Sequence, residues 1–572
     1  DAAVTWIDEA RGAPELRLTD VTFRLQSDYY RHRFGLRARA PAELAGPLDI
    51  RGDFSGNSVK QRSQWEGQLY AQLDYVDLAA WKQWIDLPIE ISQGRGALRT
   101  WVDIGGGLVT GALADLQLND VKARLTPELE VIDLTRLSGH LGWRSWNNGF
   151  EVIARRFEAV AVAGREFKSD EFSLRLAGAR DGKPAYGELR ATQLDLDALA
   201  ELTQHLPVDT GIREALARFE PRGKVHGIDG KWTGDWPPTQ YQFKAQFERL
   251  AVNAVGKFPG VTGVSGAIEG NERQGSLKLV GQKMRLDLPR VFADAIELAE
   301  ATTAATWTRA NGRYNVHLSD MRFANDDVAG SLHGTYTTDG TGPGTADLTG
   351  GITRAEARQV WRYMPRVTPM TKEWLRTALL DGKASDVTLR LKGDLAHFPF
   401  RDRKSGTFRI TVKARDTVLV YAPGWPRIEG ITADLLFEGP SMEINSTSSR
   451  ILNVSLGKVR AAISDVERSA LIEIAGEAEG ATSEFLRFIA ESPAAAMIDR
   501  FTDGMDAQGS GRLAMRLMLP FDNTAGTKLV GAYQFRSNRL RVDPDMPLLE
   551  QVDGRIEFTE SSVRGQGITA QI

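Results

Sequence analysis

Strict alternation of apolar and polar residues runs through most of this 572-residue chain. In the stretch 387–395, valine and leucine hold one parity, while threonine, arginine, lysine and aspartate hold the other. A period of two is typical of a β-strand with one dry and one wet face. Buried parallel strands would instead read as continuous apolar runs, so the pattern predicts antiparallel strands.

Segments with helical spacing are few and short. They cover roughly a fifth of the chain or less, against the ~30–35% typical of globular domains. Gly382 is a suitable stop for the predicted helix near 371–381. The predicted helices lie near 77–86, 195–206, 210–219, 354–364, 371–381, 483–490 and 494–503.

Every apolar strand face needs a cover, and helices this sparse cannot cover the roughly 35–40 strands that the pattern indicates. The sheet must therefore close on itself as a sandwich or barrel, or curl into an open trough. A trough would leave a continuous apolar groove that requires an apolar guest. The alternation alone leaves both alternatives open.

A strand that leads into a short helix and then a proline recurs four times, at 71–88, 191–207, 348–365 and 474–493. Internal repetition of this kind is typical of repeat architectures, so we predict one elongated object. The predicted units are residues 1–70 (strands of a first, incomplete unit), 71–190, 191–347, 348–473 and 474–572 (a truncated unit).

Three related segments change parity in the middle, immediately after Asp20, Asp120 and Asp320. A slip of one residue moves every following side chain to the opposite face. We therefore predict a β-bulge or tight turn at each aspartate. The carboxylates themselves are expected to cap turns and not to carry chemistry.

Residues that could carry chemistry do not form a recognisable constellation. The sequence contains no cysteine and seven histidines, and no two histidines have metal-ligand spacing. Asp195 with Asp197 and Asp543 with Asp545 are the nearest paired carboxylates, and neither pair has a histidine nearby. The net charge of −4 gives no basic footprint for nucleic acid. We therefore predict a non-enzymatic protein with no catalytic residue, metal or cofactor.

The thirteen tryptophans could offer platforms for sugars, but their positions favour packing. We expect core-facing positions on helices for four of them, and a strand-end loop for two others. These are Trp81, Trp84, Trp361 and Trp374 in the first group, and Trp143 and Trp146 in the second.

The stretch 362–400 combines a helix that ends at proline, a second helix with Trp-Leu, a strand, Lys-Gly-Asp-Leu and Phe-Pro-Phe. In these features it resembles the central region of the YhdP subgroup of the AsmA-like family, the bridge-like lipid-transfer proteins. Segments 424–439 and 545–560 are similar to repeats of the same family. The resemblance extends over the whole chain.

The resemblance implies a protein of the Gram-negative periplasm that is anchored in the inner membrane. It implies a mainly β fold: an elongated, curled antiparallel sheet that forms an open trough, with a few short helices. Phospholipid acyl chains would occupy its hydrophobic groove on their way to the outer membrane. No run approaches the ~18 apolar residues of a membrane span, so we expect the anchor outside these residues. Outer-membrane or periplasmic proteins are further expected partners, and nucleic acid is not.

Alternation then selects the residues expected to line the groove, which are Tyr241, Phe243, Phe247, Val387, Leu389, Leu391, Phe408, Ile410, Val412, Ile431, Leu435 and Phe437. The alternative is a structural or outer-membrane assembly scaffold with a closed β core. A carbohydrate-active module is a third reading, which the absence of paired catalytic acids disfavours.

Overall fold

A computed structural model of the chain describes residues 2–9, 11–56, 62–85, 89–162, 164–203, 205–206, 209–235, 237–256, 258–364, 368–468, 471–520 and 526–572. Strands make up 66% of the structure, and 29 of them are assigned to a single sheet. The chain divides into two compact units, residues 1–279 and 280–572. They are called unit 1 and unit 2 below.

Unit 1 contains strands β1 to β14 and the first part of β15. They are Ala2–Trp6, Leu16–Ser27, Arg31–Arg39, Pro47–Ser55, Glu66–Asp77, Glu90–Gly105, Leu108–Arg124, Ile132–Trp146, Gly149–Ala161, Glu166–Ala177, Tyr186–Asp195, Arg222–Thr233, Gln240–Val252, Gly260–Asn271 and Gln274–Asp287.

Unit 2 contains the end of β15 and strands β16 to β29. The latter are Ile296–Ala310, Arg313–Ala324, Val328–Thr338, Thr345–Glu356, Leu379–Asp394, Gly406–Leu419, Ile428–Glu438, Ser441–Ile451, Val454–Ile463, Leu471–Ala481, Asp506–Pro520, Lys528–Arg541, Leu549–Thr559 and Val563–Gln571.

In both units, consecutive strands pair antiparallel. In unit 1 the pairing runs from β1 to β14 in chain order. In unit 2 it runs from β16 to β29. Within the described residues no pairing joins the last strand of either series to its first. The predicted antiparallel, mainly β sheet is confirmed, and it is not closed into a barrel.

The described residues contain six α-helices, α1 to α6, at Leu78–Trp81, Leu196–Leu202, Thr210–Phe219, Pro369–Ala378, Thr482–Ala490 and Ala494–Met497. Several predicted helices differ from this: the one near 77–86 ends at Trp81, and the one near 195–206 ends at Leu202. The segment near 354–364 is the end of β19 followed by a 3₁₀ helix at Ala357–Arg362, and the helix near 494–503 stops at Met497. Gly382 is not a helix stop, because α4 ends at Ala378 and Gly382 lies inside β20. Prolines 88, 207 and 365 lie outside the described residues.

In each unit, the α-helices of the described residues lie at one edge of the sheet. In each unit they connect the end of an odd-numbered strand to the start of the next, as α1 does between β5 and β6 and α4 does between β19 and β20. We call this the helix-side edge. The opposite, hairpin-side edge is formed by turns such as those at 106–107 and 311–312.

In each unit a line of β-bulges crosses the sheet a few residues inside the helix-side edge. Asp20 and Asp120 have φ of 51° and 53°, and the register shifts beside both of them and beside Asp320. The predicted bulges at these aspartates are confirmed. Further register shifts continue the line at Ser138/His140, His226/Asp229, Phe247/Leu250, Ser385/Thr388, Ala414/Thr417 and Phe535/Asn538.

Bulges explain why the structure has fewer strands than the sequence pattern indicated. A bulge reverses the parity of a strand without ending it, and it also bends the strand. Strand β7 continues through Asp120 and reaches 17 residues. A change of parity that reads as two short strands is therefore one long, bent strand.

Between the bulge line and the helix-side edge, the apolar residues form closed cores. In unit 1, Leu118, Val121 and Ala159 are 4%, 5% and 2% exposed and pack in one cluster with Ala198 of α2. A second cluster holds Leu16 and Trp84, whose indole Nε1 donates to the Pro14 carbonyl at 2.9 Å. These cores are where the helices cover the sheet.

We expect Asp120→Val to destabilise unit 1 by about 1–2 kcal/mol, because a β-branched residue resists the left-handed conformation that the bulge imposes. Asp120→Gly should be neutral or slightly stabilising. The measurement is the shift of the urea unfolding midpoint. Asn119→Val, at the exposed neighbouring position outside the left-handed region, is the matched control, and an equal effect there would contradict the assignment.

Candidate functional site

One row of side chains crosses unit 1 from β2 to β14 without a polar residue. Each member lies opposite the next in the ladder, so all share one face of the sheet, which we call the apolar face. At ~4.8 Å per strand the row extends about 58 Å. Its members are Leu25, Phe34, Gly52, Leu69, Val102, Ala112, Trp143, Val152, Leu174, Leu189, Gly230, Phe243 and Gly270.

The neighbouring row, one residue along each strand, lies on the opposite, polar face. It contains only polar residues apart from one glycine. Its members are Gln26, Arg33, Asp53, Gln68, Asp103, Gly111, Arg144, Glu151, Arg175, Glu188, Lys231, Gln242 and Asn271. The two faces of the sheet are therefore sharply divided over thirteen strands.

On the hairpin side of the bulge line the apolar face of unit 1 is partly open: most of the row is half-buried and Phe54 is buried, but four large side chains stay exposed. Phe23 and Leu25 are 58% and 62% exposed, and Trp143 and Phe150 are 40% and 37% exposed. On the helix side of the line, the equivalent face is buried in the cores described above. Large exposed apolar surfaces on a folded protein mark binding sites, so this partly open face is the candidate site.

Unit 2 carries two overlapping rows of the same kind, and every member is half-buried. One row crosses β17 to β24 and the other crosses β21 to β27. The first is Met321, Leu332, Gly350, Leu389, Ile410, Phe437, Met442 and Ile463. The second is Val412, Leu435, Ile444, Ala461, Ile474, Leu517 and Leu529.

The structure places seven of the twelve predicted groove residues on the hairpin side of the apolar face of unit 2. Leu389, Ile410 and Phe437 belong to the first row of unit 2, and Val412 and Leu435 to the second. Leu391 lies opposite Phe408 in the next row. Whether these side chains contact a ligand stays a prediction.

Of the other five predicted residues, three lie in unit 1 and two lie at or beyond the bulge line of unit 2. In unit 1, Tyr241 and Phe243 stack on each other with centroids 6.1 Å apart. Phe247 and Val387, both next to the bulge line, are buried at 8% and 9% exposure. Ile431 lies opposite Thr417, across the line from the open face.

Glycines keep the apolar face level where an aromatic ring occupies the neighbouring strand. The Trp232 ring lies flat over Gly187, so a Cβ there would come within 2.1 Å of the ring. In the same way Phe34 and Phe54 cover Gly52, and their atoms would lie 2.3 and 2.5 Å from its Cβ. Aromatic residues thus alternate with glycines, and the aromatic rings lie flat against the sheet.

A loop at the hairpin-side edge of unit 2 folds over the apolar face. This loop contains the Phe-Pro-Phe motif. Its Phe398 ring meets Phe408 at 5.0 Å between centroids, and Phe400 is 1% exposed. Arg401 of this loop forms ion pairs with Asp465, at 2.9 Å, and with Glu467. Both acids follow β24 at the same edge. The loop therefore covers one predicted groove residue, Phe408.

Charges lie on the polar face and are mostly paired there. The Arg31 guanidinium donates to both Asp53 carboxylate oxygens at 2.7 and 2.6 Å, and these hydrogen bonds hold the pKa of Asp53 below its usual value. A hydrogen bond from Arg390 lowers the pKa of Asp347 in the same way. On the apolar face, burial raises the pKa of Tyr533, against a smaller opposing effect of its hydrogen bond with Thr482. The apolar rows of both units contain no ionisable group.

Sequence reasoning missed Trp143 and misplaced two other tryptophans. Trp143 and Trp146 lie inside β8 and not in a loop, and Trp143 is on the open apolar face. Trp374 is 45% exposed, and its indole Nε1 donates to the Tyr421 carbonyl at 3.2 Å. The alternation of Leu141 and Trp143 with Gly142 and Arg144 was the available signal.

Two negative findings concern the described residues alone. No group of three or more histidine, aspartate or glutamate side chains there could hold a metal ion. Within the same residues, no helix has the length and hydropathy of a membrane span.

Comparison with known proteins identifies a family. The model of the family described as YhdP protein matches residues 1–572, the whole of this chain. No curated protein and no solved structure matches it.

We expect Gly187→Ala to displace the Trp232 ring from the sheet, because the new methyl group has no space beneath it. The cost should be about 1–3 kcal/mol, and quenching of tryptophan fluorescence by acrylamide should increase. Gly230→Ala is the matched control, since its Cβ would meet only the Leu189 carbonyl, at 3.9 Å. If both variants behave alike, the levelling role of Gly187 is wrong.

Proposed function

The chain belongs to the YhdP family, and from this membership and the open apolar face we propose that it is a non-enzymatic lipid-transfer protein. It carries phospholipid along the apolar face of its β-sheet, in the periplasm, between the inner and outer membranes of Gram-negative bacteria. An anchor outside these residues would hold it to the inner membrane. The observation that carries the proposal is the thirteen-strand row without a polar side chain, together with the exposure of Leu25 and Trp143 within it.

The energetics favour an acyl chain as the guest. Moving a sixteen-carbon tail into water costs roughly 12 kcal/mol at about 0.8 kcal/mol per methylene. An apolar face that continues from strand to strand removes much of this cost at each step. A charged or sugar ligand would find no hydrogen-bond partner along the row, and desolvating it there would be unfavourable.

In this proposal the apolar face does not bind the head group of the lipid. The apolar rows contain no ionisable side chain that could bind the head group. The head group must therefore remain in solvent, away from the sheet. The recognised part of the lipid is therefore the tail. We expect little selectivity among head groups and greater sensitivity to the volume of the tails.

A structural scaffold with a closed β core is the competing function. It requires the apolar face to be covered by the protein itself. The 62% exposure of Leu25 and the 40% exposure of Trp143 support the open face and hence the lipid ligand. Lipid analysis of the purified protein distinguishes the two, since a closed scaffold should retain no phospholipid.

A photoreactive residue at position 410 should crosslink phospholipid, because Ile410 lies in the middle of a half-buried apolar row. The matched position is Thr407 on the same strand, which is exposed on the polar face. It should crosslink no lipid. The products are identified by mass spectrometry after purification from bacterial membranes. Lipid on both positions, or on neither, would contradict the proposal.

Ile410→Glu should reduce phospholipid transfer between donor and acceptor vesicles by about tenfold or more, because an unpaired carboxylate beside an acyl chain costs a few kcal/mol. Thr407→Glu adds the same charge on the polar face, opposite Lys392, and should leave transfer unchanged. Circular dichroism checks that both variants are folded. Equal transfer by the two variants would exclude the apolar face as the path.

A further inference from the structure

The polar face of unit 2 carries a shallow depression that lipid transfer along the apolar face does not use. Its volume is about 1090 Å³, and its lining comes from β23 to β29. Residues such as Lys458, Arg516 and Glu557 belong to it, and all three project from the side opposite the apolar rows.

Small side chains create this depression. Ala514 and Ala532 lie opposite each other in the ladder, between Glu477 on one side and Glu557 on the other. Ala475 lies opposite Arg516 in the next row. These alanines form a low floor, beside which Val530 is 62% exposed.

The charge around the floor is predominantly positive. Five cations line it, with two acids between them: Lys458, Arg460, Arg516, Arg555 and Arg564, against Glu477 and Glu557. Arg460 is paired with Glu443 at 2.8 Å and Arg555 with Glu557 at 3.1 Å.

The other three cations form no ion pair within the part of the chain that the structure describes. Among the described residues no carboxylate lies within 4.0 Å of the charged groups of Lys458, Arg516 or Arg564. Since most arginines of this face are paired, a cluster of three unpaired cations around an apolar floor indicates a site for an anion.

We propose that this depression binds an extended acidic segment of a partner protein. The cations are spread from β24 to β29, a distance of about 24 Å at ~4.8 Å per strand. That distance exceeds the reach of one phosphate and suits several carboxylates along a chain. A peptide backbone also offers N–H donors to Glu477 and Glu557, which a polyphosphate does not. The alanine floor can receive an apolar side chain of the same segment.

The test is fluorescence anisotropy with a labelled peptide of about ten residues in which glutamate alternates with valine. We expect saturable binding that weakens as salt is raised. The double variant Arg516→Glu/Arg564→Glu should weaken binding about tenfold or more, because two attractive charges become repulsive. Its matched control is Lys413→Glu/Arg415→Glu, an equal charge change on exposed positions of β21 outside the depression. The control should bind as the parent protein does.

Three outcomes would overturn the proposal. They are no saturable binding, equal weakening by the two double variants, or displacement of the peptide by inorganic phosphate at the same concentration as a competing peptide. The last would indicate a site for small anions in place of a protein segment. Phospholipid content, measured on the same samples, keeps this result separate from the proposed lipid transfer, because the variants leave the apolar face unaltered.

Discussion

The structure depends on one constraint: a single layer of sheet must keep an apolar face that, over much of its width, no other element covers. Proteins normally bury such a face against a second layer. Here the bulge line divides it. On the helix side, residues such as Leu118 and Val121 are buried under helices. On the hairpin side, Leu25 and Trp143 stay exposed, so the stability of the fold must come mainly from the helix-side cores and the backbone ladder.

The bulges are what allow the two regions to coexist in one strand. A left-handed residue such as Asp120 bends the strand and reverses its parity at once. The buried positions Val121 and Ala123 therefore stay on the same face as Leu116 and Leu118, although the chain has slipped by one residue. Without the bulge, the helix-side residues would point to the polar face and the helices would have no apolar surface to cover.

Sequence alone could predict the two faces but not the arrangement around them. Alternation identified Leu389, Ile410 and Leu435 as residues of one face because a strand has an invariant period of two, and the change of parity located the bulges. The rows were beyond prediction, since they depend on the register of each strand pair. The end of α4 was also misjudged: Gly382, at φ 127°, is required by a close approach to Thr417 on the next strand, and this tertiary contact has no local signature.

The flatness of the apolar face affects how a lipid tail would move along the proposed path. Apolar contacts are non-directional and scale with area, so a tail that moves from one strand to the next exchanges contacts of similar free energy. Rings that lie flat over Gly52 and Gly187 remove the steps that upright side chains would introduce, which keeps the barriers between positions low. A surface of this kind lets lipid slide in both directions equally. Net transport in one direction must therefore come from a difference in lipid supply and removal at the two ends of the path.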